Sequence, residues 1–72
     1  MTTDERIGHK IMVQRAVLRM NQSELARRIG VRQSYSSMIE NGDRPISDDL
    51  LLKIAVALRC KPEELKRWEK AA

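Results

Sequence analysis

The sequence predicts an all-α fold: one domain of five short helices spanning residues 1–72. Three observations carry this expectation. Helix-favouring residues dominate, and the β-branched runs that mark strands are missing. Apolar side chains recur three and four residues apart, which lines them up along one side of a helix. Between those stripes stand residues that start and stop helices. Thr2, Asn21, Ser47 and Pro62 occupy beginnings; Gly30 and Asn41-Gly42-Asp43-Arg44-Pro45 occupy ends.

The first helix opens on Thr2, with Glu5 at capping-box spacing, and runs to about Arg19. Ile7, Ile11 and Leu18 share one face, with Gln14 between them. Val13 and Val17 lie off that stripe and are expected to pack under a neighbouring helix. Asn21 caps the second helix, Glu24 closes a second capping box, and Leu25, Ala26 and Ile29 face inward. Gly30 can take a positive φ and so allow a tight turn. A third helix begins near Gln33, with Ser36 and Ile39 inward. Its outward side is Ser34, Ser37, Met38 and Asn41, with Gln33 at the tip. Ser47 caps the fourth helix, where Asp48 and Asp49 complement the dipole. Leu50, Leu51, Ile54, Ala55 and Leu58 form its buried stripe. Lys61-Pro62 starts a fifth helix, expected over about 62–70, with Leu65 and Trp68 on one side.

Composition narrows the function. A chain of 72 residues buries only about 60% of its unfolded surface, so stability should be modest. Cys60 is the single cysteine; no intramolecular disulfide can form, which suits a reducing cytosol. It is expected to be a small core residue. No apolar stretch approaches the roughly 20 residues of a membrane span, and no apolar segment follows the first residues as in a signal peptide. His9 is the only histidine, and it reads as a surface residue. No Ser-His-Asp set, paired carboxylates or Gly-rich phosphate loop is visible, so neither an enzyme nor a cofactor or metal site is expected. The net charge of +4 permits nucleic-acid binding without establishing it. Position matters more. From Arg27 to Ser37 there is no acid, while Arg27, Arg28 and Arg32 are basic.

Residues 22–41 therefore describe two short helices at a steep angle with a glycine in the turn, a helix-turn-helix. Here the chain resembles the Cro/phage-repressor type, the XRE family. The resemblance rests on Met20-Asn21-Gln22-Ser23-Glu24-Leu25-Ala26, Ile29-Gly30-Val31 and Ile39-Glu40-Asn41-Gly42, and continues through Leu51-Leu52-Lys53-Ile54-Ala55-Val56-Ala57-Leu58. It covers about residues 7–65.

That resemblance implies a lambda-repressor-like five-helix fold with the third helix in a DNA major groove. Gln33, Ser34, Ser37 and Met38 are then expected to face bases. A Gln amide can bond adenine N6 and N7 together, the two serines discriminate weakly, and Met38 offers only apolar contact. Relatives often carry a polar or basic residue at the position of Met38. Gln22, Arg32, Asn41 and Arg44 are expected to hold the DNA backbone. Arg15 and Glu40 match a partly buried ion pair of phage repressors. Ser36 stands where relatives usually have Ile or Val, and Arg59 where they often have the Gly that ends the fourth helix. Leu65 and Trp68 are expected on a homodimer face.

The expected function is thus a sequence-specific transcriptional regulator, a repressor on a palindromic operator. With one domain, control would come from concentration, a regulatory partner protein or competition for DNA. This suits a Cro-like phage regulator, a small plasmid or chromosomal repressor, a restriction-modification controller or an autoregulating antitoxin. The competing expectation is a protein-protein interaction module using an apolar face of Val13, Val17, Leu65 and Trp68.

Overall fold

The computed structural model describes residues 2–66. Within them run five helices: α1 Thr3–Val17, α2 Gln22–Ile29, α3 Gln33–Asn41, α4 Asp48–Ala57 and α5 Pro62–Lys66. The expected extension of the fifth helix to about 70, and with it Trp68, lies outside the described residues.

Helix starts follow the cap residues. The Thr2 N–H donates to Glu5 Oε1 at 3.0 Å, and the Glu5 N–H donates to Thr2 Oγ1 at 3.2 Å. The bond from the Thr2 backbone holds the Glu5 carboxyl below its ordinary range. This cap therefore contributes fully above the ordinary carboxylate range and is lost as acid protonates Glu5. Asn21 accepts from the Glu24 N–H at 2.8 Å, and Ser47 from the Leu50 N–H at 3.2 Å. The second capping box closes only halfway, because the Glu24 carboxylate turns outward to Arg28 at 3.0 Å.

The four longer helices end in one way. Arg19, Gly30, Gly42 and Arg59 all have positive φ, between 53° and 79°. In each case the N–H of the next residue returns to a carbonyl five positions back: Met20 to Arg15, Val31 to Ala26, Asp43 to Met38, Cys60 to Ala55. This is the Schellman closure, which satisfies carbonyls the helix leaves over. The first helix consequently stops at Val17, short of the expected Arg19, since Arg19 is already left-handed. Arg59 performs the task that glycine performs at Gly30 and Gly42, at some steric cost.

The core gathers Ile7 and Ile11 of α1, Leu25 and Ile29 of α2, Ile39 of α3, Leu51 and Ile54 of α4, Leu58 just past it, and Leu65 of α5. Three expectations need correction. Val13 and Val17 do not pack under a helix; they are 46% and 68% exposed, because α3 and α5 cover the other sides of α1. Leu50 and Cys60 are only partly buried at the margin of the core. Burial still raises the Cys60 thiol pKa, and Glu64 adds to the effect.

Nothing in the sequence around Gly8 marks it, yet it sets how closely α1 approaches α3. A Cβ there would sit 2.5 Å from the backbone oxygens of both Ile39 and Glu40. Backbone cannot move aside as a flexible side chain can. Gly8→Ala should therefore destabilise the fold by about 1–3 kcal/mol in urea unfolding, although Ala favours an isolated helix by about 1 kcal/mol. Arg59→Gly should act oppositely, raising stability by up to about 1 kcal/mol through release of the left-handed strain; an unchanged or lower urea midpoint would contradict this.

Candidate nucleic-acid interface

The candidate surface is built on α3 and its flanks. The α2–α3 turn is made by Gly30 at φ 76°. Arg32 is the residue before α3, in extended conformation, and its side chain makes no capping bond. No acid stands in the first turn of α3. The backbone N–H groups there are not met by a side-chain cap, in contrast to α1, α2 and α4.

Gln33 and Ser34 are exposed at the tip, and Met38 is exposed one turn further on. Ser37 is half-buried, so less of it faces outward than the helical spacing suggested. Arg32, Ser34, Met38 and Arg44 line one shallow open groove with Val31 and Tyr35. The guanidinium of Arg44 lies over the Tyr35 ring, 5.9 Å from its centre, a cation–π distance. Asn41 is exposed as the last residue of α3, and Gln22 is half-buried as the first residue of α2. The structure thus gathers Arg32, Ser34, Met38 and Arg44 around one groove. A contact absent from the sequence reading joins the two helices: Ser23 Oγ donates to Gln33 Oε1 at 2.7 Å.

Beneath this surface lies the Arg15–Glu40 pair. Arg15 Nε donates to Glu40 Oε2 and Nη2 to Oε1, both at 3.0 Å, a two-point fork. Nη1 donates to the Met20 carbonyl at 2.9 Å. The Glu40 side chain is 4% exposed. The geometry ties the last turn of α1 to the end of α3 and neutralises the one acid within α3. Ser36 occupies the buried inward position, 1% exposed, with Tyr35 packed at the core's edge beside it.

Comparison with known proteins agrees with this architecture. The family model described as helix-turn-helix matches residues 11–65. The chain belongs to the XRE-type helix-turn-helix family. Among solved structures, this helix-turn-helix protein is similar to the restriction-modification controller protein C.AhdI from Aeromonas hydrophila. Identity is 33%, 85% of this chain and 92% of that chain are covered, and the TM-score is 0.81. It is also similar to the clp gene regulator ClgR from Corynebacterium glutamicum, with 26% identity, 90% and 84% coverage, and a TM-score of 0.87. No curated protein matches. Family membership supports a DNA-binding transcription regulator; the family and both neighbours are regulators rather than enzymes. Among the described residues, no helix is long and apolar enough to cross a membrane.

Leu65 requires a correction. It was expected on a dimer face, but it is 3% exposed inside the protomer, because α5 wedges against both α1 and α4. Trp68, its expected companion, lies outside the described residues.

Truncating Arg15 leaves the carboxylate of Glu40 buried without a cation. Arg15→Ala should cost about 3–5 kcal/mol in denaturant unfolding. A loss below about 1 kcal/mol, the value for an exposed pair, would show that this pair is solvated.

Proposed function

We propose that this protein is a repressor that binds a palindromic operator as a homodimer, with α3 lying in the major groove. Gln33, Ser34, Ser37 and Met38 face the bases, and Gln22, Arg32, Asn41 and Arg44 hold the phosphates. One observation carries this reading. The exposed, acid-free tip of α3 presents uncharged hydrogen-bonding groups beside a groove whose rim bears Arg32 and Arg44. Uncharged donors and acceptors suit base edges, and flanking cations suit phosphates. The uncapped N–H groups at the start of α3 favour a nearby anion as well. The similarity to C.AhdI, a restriction-modification controller protein, and to ClgR, a clp gene regulator, supports a regulatory role. Two subunits would read half-sites about 34 Å apart. In this reading the protein works in the cytoplasm, at the nucleoid of a prokaryote or on phage DNA, and a partner protein can adjust its activity.

A second reading, the protein-protein module, draws on the uncovered apolar residues Val13 and Val17 of α1. It loses Leu65, which is committed to the core. The same exposed valines serve a homodimer equally well.

Gln33→Ala distinguishes the readings. Operator affinity should fall by about 1–3 kcal/mol with unchanged unfolding midpoint; an interaction module would show no DNA phenotype. Binding should also weaken with salt, each neutralised phosphate adding about 0.9 to the slope of log K against log salt. A slope near zero would remove the DNA reading.

A further inference from the structure

We infer that Ser23 is a specificity-determining positioning residue: its hydroxyl fixes the Gln33 amide in the one orientation that matches adenine. This deepens the DNA-binding reading and rests on it.

The contact is Ser23 Oγ to Gln33 Oε1 at 2.7 Å, between two exposed residues on different helices of the motif. Two oxygens so close share a hydrogen. The amide oxygen carries none, so the hydroxyl is the donor. The surroundings select oxygen rather than the amide nitrogen for that position. Ser23 lies in the first turn of α2, where backbone N–H groups have no partner within the helix. Asn21 accepts from Glu24 and leaves the two preceding N–H groups uncapped by it. The positive end of α2 therefore favours a carbonyl oxygen facing it and disfavours an NH2 group.

With one lone pair held, Gln33 retains an acceptor site on Oε1 and the donor hydrogens of Nε2 in the plane of its amide. Adenine presents an N7 acceptor next to an N6 donor, which complements that pair. Guanine presents two acceptors, N7 and O6, and would set one of them against Oε1. A glutamine without a partner can turn its amide over. The hydrogen bond from Ser23 opposes that turn, so discrimination is built in before DNA arrives.

The test uses the full chain and selection from a random double-stranded DNA pool. Gln33→Ala first identifies the base pair that Gln33 reads, as the position whose preference disappears. Wild type should select adenine there. Ser23→Thr keeps a hydroxyl and should preserve the preference. Ser23→Ala should lower the adenine-to-guanine ratio by at least about threefold, a fraction of what a good bidentate pair supplies. Preferences elsewhere in the site and the thermal midpoint should not change, since Ser23 is exposed. An unaltered ratio in Ser23→Ala, or guanine selected by wild type at that position, would overturn the inference while leaving DNA binding intact. Enrichment of no sequence by any variant would instead overturn the DNA reading, and this inference with it.

Discussion

The guanidinium of Arg15 reaches three oxygens at once: both carboxylate oxygens of Glu40 and the carbonyl of Met20. It thereby joins three places in the chain, the last turn of α1, the end of α3 and the segment between α1 and α2. A planar fork suits this task better than a point charge, because two parallel bonds set orientation as well as distance. The pair also solves an electrostatic problem. Glu40 lies within the helix proposed to approach phosphates, and a free carboxylate there would repel them. Its charge is matched internally and its side chain is almost wholly covered.

Around that tie, α1 supplies the remaining support. Gly8 lets its backbone come against the last carbonyls of α3, and Gln14 donates to the Leu58 carbonyl at 3.1 Å, reaching the end of α4. The helix with the polar tip is thus held at its C-terminal half by α1 and on its inner side by α2. Its N-terminal tip, with Gln33 and Ser34, stays open.

Much of this was legible in the residues, and the reasons are local. Thr2, Asn21 and Ser47 announce their helices because a short side-chain oxygen satisfies an N–H two or three residues ahead. Gly30 announces the turn because it accepts a left-handed backbone freely. Leu25, Ala26, Ile29 and Ile39 announce a core by spacing alone. What escaped depends on partners distant in sequence. Nothing near Gly8 reveals that two carbonyls from α3 will press on it. Leu65 and the Val13–Val17 pair look equally apolar, and only the path of α5 decides that the first is buried and the others are not. Arg19 is indistinguishable from any basic residue at a helix end until the chain is seen to reverse there with positive φ. On the candidate surface, residue types suggested which side faces outward. The bond between Ser23 and Gln33 required the angle between α2 and α3, which no spacing encodes.

Gly8 meets α3 through main-chain oxygens, which every amino acid possesses. The seat of this helix is therefore largely indifferent to which side chains its outer tip displays. Gln33, Ser34 and Met38 can be exchanged with little disturbance to the scaffold. New binding preferences could then arise by few substitutions, each tried on a platform that stays folded, while half-buried Arg15 and the buried Glu40 and Gly8 remain under tight constraint.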